Sequence, residues 1–123
     1  MMNDHVEDEK FQRGLEQFNR GQFFEAHETW EEIWLAAQEP ERTFLQGIIQ
    51  VAAAFHHYQR GNRPGAQSLL EAGLNKLECF PPTHRGIRLD ELRAAGKRWV
   101  AELAAGRSPG NEQFPHICPA PQS

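Results

Sequence analysis

The sequence predicts an all-α fold, a compact bundle of about five helices that includes two tetratricopeptide-like hairpins. Three observations predict it. Apolar residues recur every three or four positions almost throughout, and no stretch alternates as a half-buried strand does. Helix breakers divide the pattern at Gly21, Pro40, Gly61 and Pro81-Pro82. A length of 123 residues suits one hydrophobic core and is short for two.

The first helix is expected from Glu9 to Arg20, with Phe11, Leu15 and Phe18 on one side and Gly21 ending it. A second spans Phe23 to Ala37, before the break at Glu39-Pro40. Pro40 suits a helix start, where its missing N–H costs little, and the third helix then runs to about Arg60. Gly61-Asn62 stops it. Asn62 can cap a fourth helix with Pro64 in its first turn and Ala66, Leu69, Leu70, Leu74 and Leu77 inward. After a loop at Pro81-Pro82, a fifth helix carries Leu89, Leu92, Trp99, Val100 and Leu103. Residues 1–106 thus form a single helical domain, and 107–123 a proline-rich tail that is extended, mobile or irregularly docked.

A shift of 40 residues lays Arg20-Gly21 on Arg60-Gly61, Ala26 on Ala66, Trp30 on Leu70 and Trp34 on Leu74. Each half is a helix, a glycine turn and a second helix, which is the logic of a tetratricopeptide hairpin. Duplication and the shared spacing of any two helical hairpins explain this echo equally well.

Composition excludes several function classes. The net charge is −4 and no basic stripe interleaves with aromatic residues, so nucleic acid is not an expected partner. No apolar run approaches the roughly 20 residues that span a bilayer. The acidic start MMNDHVEDEK is unlike a signal peptide, and Cys79 and Cys118 make no disulfide framework, so a reducing cytoplasm is expected.

The chemistry-bearing stretch is residues 23–34, FFEAHETWEEIW. His27-Glu28 begins like the H-E-x-x-H zinc motif, but position 31 is Glu31, so the second imidazole is missing. What remains is H-x-x-x-E-x-x-W, made by His27, Glu31 and Trp34. At ~100° per residue, Phe23, Ala26, Trp30, Ile33, Trp34 and Ala37 form an apolar stripe. Glu25, Glu28 and Glu32 fall opposite, on a solvated face. His27 lies within the stripe and Glu31 at its edge, within reach of each other along a buried seam. Such a pair either satisfies itself as architecture or lines a binding pocket.

The third helix is apolar nearly all round, through Phe44, Ile48, Val51, Phe55 and their neighbours. Gln46, Gln50, Ala53 and His57 nevertheless make a narrow polar line, and buried polarity needs an answering partner. His27, Glu31, Gln50 and His57 are therefore expected to face one cleft, with Trp34 as its wall. His56 projects to another face. His5, His84 and His116 lack ligand spacing, and no nucleophile or phosphate-binding motif occurs.

The runs FNRGQFFEAHETWEEIW and FLQGIIQVAAAFHHYQRGNRPGA resemble the bacterial and archaeal family called domain of unknown function 309, over about Phe18 to Leu77. The resemblance implies an all-helical bundle and a ligand-binding motif at His27, Glu31 and Trp34, without bringing a reaction. The expected function is a small-ligand or metal-binding site, with His27 and Glu31 as candidate ligands of a divalent ion. The alternative is an interaction module that docks a peptide or another subunit, in which His27 and Glu31 are structural. A homodimer is the third candidate.

Overall fold

The computed structural model describes residues 2–109 and 113–121, with side chains from residue 7 onward. It contains five helices: α1 (Met2–Asn19), α2 (Phe23–Trp34), α3 (Glu41–Gln59), α4 (Arg63–Leu77) and α5 (Leu89–Ala104). Each packs on the next: α1 on α2, α2 on α3, α3 on α4 and α4 on α5. The all-helical expectation holds, with one addition. Two short strands, β1 (Thr83–His84) and β2 (Ile87–Arg88), form an antiparallel ribbon before α5. Two residues per strand are too few for alternation to register in the sequence.

The glycine turns are built as the 40-residue echo suggests. Gly21 and Gly61 have φ of 77° and 80°, a left-handed conformation that costs glycine no Cβ clash. Gln22 N–H donates to the Gln17 carbonyl at 2.9 Å and Gly21 N–H to that of Phe18 at 3.0 Å. Forty residues later, Asn62 N–H donates to His57 at 2.9 Å and Gly61 N–H to Tyr58 at 3.0 Å. Both turns are Schellman motifs, in which the last helical carbonyls find donors. Asn62 also caps α4, its side-chain oxygen accepting from Gly65 N–H at 3.1 Å.

Two helix ends differ from expectation. α1 begins at Met2, seven residues before Glu9, because its polar first turns carry no apolar period. α2 stops at Trp34, short of Ala37. There the Arg42 guanidinium donates to the carbonyls of Trp34 (3.1 Å) and Ala37 (3.5 Å), taking up groups that another turn of helix would use.

The core is continuous from Phe11, Phe18 and Trp30 through Phe44 and Phe55 to Leu70, Leu89 and Trp99. Glycines Gly47 and Gly73 let α3 and α4 approach closely; a Cβ on Gly73 would stand 2.7 Å from the Gly47 carbonyl. The described part of the tail is docked. Asn19 clasps Ile117 through two hydrogen bonds of 2.9 and 2.7 Å, and Phe114 stacks on Trp99 with centroids 5.2 Å apart.

Candidate functional site

Helices α2 and α3 lie side by side and antiparallel. Phe24 meets His56 at one end, with ring centroids 5.1 Å apart, and Arg42 covers the Trp34 ring at the other, 4.0 Å from its centroid. This pairing fixes the level of every residue along the seam. His27 comes opposite Ala53, His56 and His57, and together with Phe24 these line a cleft of about 160 Å³. Gln50 lies one turn before Ala53, at a level between His27 and Trp34.

His27 and Glu31 do meet. The His27 Nε2 is 3.4 Å from the Glu31 carboxylate, longer than an ordinary hydrogen bond. The expected buried seam needs correction, since the Glu31 side chain is 51% exposed and that of His27 28%. The bulk of Trp30 occupies the core-facing centre of α2, and Gln17 on α1 accepts a 2.7 Å hydrogen bond from the Thr29 hydroxyl. That orientation turns Glu31 to the outer edge. Glu25, Glu28 and Glu32 are exposed as expected, and Trp34 is partly buried.

The remaining polarity sits inside. His27 Nδ1, Trp34 Nε1 and Gln50 Oε1 are buried and have no hydrogen-bond partner in the protein. Each has a definite character. In the tautomer with its proton on Nε2, toward the Glu31 carboxylate 3.4 Å away, a neutral His27 ring offers Nδ1 as an acceptor. The indole N–H of Trp34 only donates, and the Gln50 carbonyl only accepts. The seam therefore presents two acceptors and one donor to whatever meets them.

His57 differs from Gln50. Its Nδ1 lies 2.9 Å from the Asn62 amide nitrogen. The Asn62 oxygen is taken by Gly65 N–H, so the amide nitrogen faces His57 and donates to it. His57 thus lines the cleft while its ring is held by the cap of α4. His56, expected on another face, lines the same cleft, because Ala53, His56 and His57 stand at i, i+3 and i+4 on α3. That spacing was readable beside the polar line. Burial first, then the Arg60 guanidinium, hold the His56 imidazole below its ordinary value near 6.5. Phe24, the other residue missed, is 44% exposed at the cleft mouth and adjoins the predicted stripe in sequence.

The donor set does not suit a divalent metal. Among the described residues, no group of three or more His, Cys, Asp or Glu side chains is placed to hold one. His27 and Glu31 supply two ligands where protein metal sites ordinarily use three or four. A cation beside Trp34 would also meet the Arg42 charge and an N–H that cannot ligate.

Comparison with known proteins finds a family match across this seam. Residues 11–69 match the DUF309 family, a domain of unknown function. The DUF309 match runs from Phe11 within α1 to Leu69 within α4, and so covers all of α2 and α3, parts of α1 and α4, and every residue of the seam. An uncharacterized protein of Aquifex aeolicus (strain VF5) is 35% identical over 96 residues, covering 76% of this chain and 27% of its own length. The uncharacterized protein YpuF of Bacillus subtilis (strain 168) is 33% identical over 66 residues, covering 53% of this chain and 36% of its own. The chain thus spans about a quarter to a third of these curated relatives. Among the described residues, no helix is long and apolar enough to cross a membrane.

Proposed function

We propose that the DUF309 region binds a small, uncharged polar molecule at the α2–α3 seam, through His27, Trp34 and Gln50, with His57 and Glu31 as supports. The observation that supports it most is the set of three buried polar atoms without protein partners, one on each of those residues. Leaving a buried polar group unpaired costs roughly 1–3 kcal/mol, a cost that a binding site recovers when its ligand arrives. Two acceptors and one donor call for a molecule with at least two N–H or O–H groups and one carbonyl or hydroxyl oxygen. Of the three residues only His27 lines the cleft of about 160 Å³, so a ligand that also reaches Trp34 and Gln50 enters by a small opening of the seam, and the space admits only a few heavy atoms, well below an ordinary drug-sized pocket. The exposed Glu31 carboxylate stands 3.4 Å from the outer nitrogen of the imidazole and acts on it by charge more than by a hydrogen bond.

A thermal-shift series with acetamide, acetate and zinc chloride tests the reading. Acetamide, the neutral donor–acceptor molecule, should raise the melting temperature of the wild type in a concentration-dependent way, and leave Gln50→Met unmoved. Stabilisation by zinc alone would replace this reading with the metal site. A second reading, an interaction module in which His27 and Glu31 are structural, is favoured by the exposed apolar side chains of Phe24 on α2 and Leu35 just after it.

A further inference from the structure

Helix α2, continued by its C-cap Leu35, has an outer face that meets the cleft only at Phe24 and His27. Phe24 and Leu35 are the large apolar side chains exposed among the described residues, at 44% and 68%. Eleven positions separate them, which at ~100° and ~1.5 Å per residue places them on one line about 16 Å apart. Glu28 and Glu31 stand near that line between them, and Glu25 and Glu32 both lie along one side of it. Glu28, Glu31, Glu32 and Leu35 line a shallow depression of about 320 Å³. Lys10 answers Glu32 at 3.1 Å and His27 approaches Glu31, while among the described residues Glu25 and Glu28 form no ion pair and the His56 ring feels the Glu25 charge.

We propose that this face docks a basic amphipathic helix of another protein. Two apolar side chains of the partner, about three turns apart, would seat on Phe24 and Leu35, and lysines or arginines between them would meet the carboxylates. Exposed apolar anchors give such a contact its affinity, and the acidic stripe selects the sign of the partner. The same charge argues against a second copy of the chain here, because a symmetric pairing would bring two sets of carboxylates together. The proposal does not depend on the cleft, whose lining shares with it only Phe24 and His27.

The test uses the full chain and a synthetic Leu/Lys helix with all leucines on one face. Its controls are a scrambled peptide of the same composition and an equivalent Leu/Glu helix. Amide resonances from Phe24 to Leu35 should shift saturably with the amphipathic basic peptide alone, and the affinity should fall as salt rises. Phe24→Ser with Leu35→Ser, and separately Glu25→Gln with Glu28→Gln and Glu31→Gln, should each weaken binding about tenfold. All five positions are exposed, and circular dichroism should show the fold kept. Equal binding of the scrambled peptide, shifts spread over the whole surface, or no binding would overturn the proposal. So would light scattering that showed a dimer whose contacts map to α2.

Discussion

Gln50 carries a buried side-chain oxygen that nothing in the protein bonds. Methionine has similar length and no polar group to leave unpaired, so Gln50→Met should raise stability by about 1 kcal/mol. Thermal unfolding in plain buffer measures it; a loss instead would mean that Gln50 already serves as a structural bridge between Trp34 and His27. His56 adds a pH dependence. Its imidazole is held below its ordinary value, chiefly by burial, so the unfolded chain binds a proton more readily. Stability should therefore fall as pH drops below about 6.5 toward the folded-state value, then level off. Denaturation at pH 7.5 and 5.5 should show a smaller drop in His56→Gln than in the wild type; equal drops would locate the effect elsewhere. The residues of the seam were legible because His27 and the Gln50–His57 line each interrupted an apolar face. The outward turn of Glu31 was not, since Thr29 and Gln17, whose side chains hydrogen-bond to each other, carry no apolar signal.

The helices were legible where their ends are chemical. Gly21 and Gly61 made the turns their sequence required, and Asn62 made the cap. The start of α3 was less obvious. There the Glu39 carboxylate accepts hydrogen bonds from the Thr43 N–H at 2.9 Å and the Thr43 hydroxyl at 2.7 Å. The hydroxyl bond and then the N–H bond hold Glu39 below its ordinary carboxylate value. Its contribution to α3 is present above pH 4.5 and lost as pH falls through the lower folded-state value. In an NMR titration, Thr43→Ala should return the Glu39 midpoint toward 4.5. An unchanged midpoint would assign the shift to another neighbour. The β ribbon stayed hidden because two residues per strand show no alternation and the tail contacts that brace it are long-range: Arg88 N–H donates to the Cys118 carbonyl at 2.9 Å, and Ile87 bridges Pro119.

For the molecule as a whole, the tail is the largest addition to what the sequence predicts. Phe114 meets Phe23, Phe55 and Trp99 at centroid distances of 4.9, 5.4 and 5.2 Å, so residues after the last helix close the end of the core. Spacing rules apply within an element and cannot place such a segment. Phe114→Ala should cost about 2 kcal/mol in urea denaturation, less than a fully buried phenylalanine. A negligible change would mean that the docking is incidental. The same packing bears on the seam, because α2 and α3 can hold unpaired polar atoms only while α1, α4 and the tail fix them in place. The most direct measurement follows the side chains of that seam. In nitrogen-15 spectra recorded while acetamide or urea is added, the Trp34 indole and His27 ring signals should move together with one midpoint. The movement should be absent in Gln50→Met. Signals that stay still throughout, together with a destabilised Gln50→Met, would contradict a binding site and leave the seam as architecture.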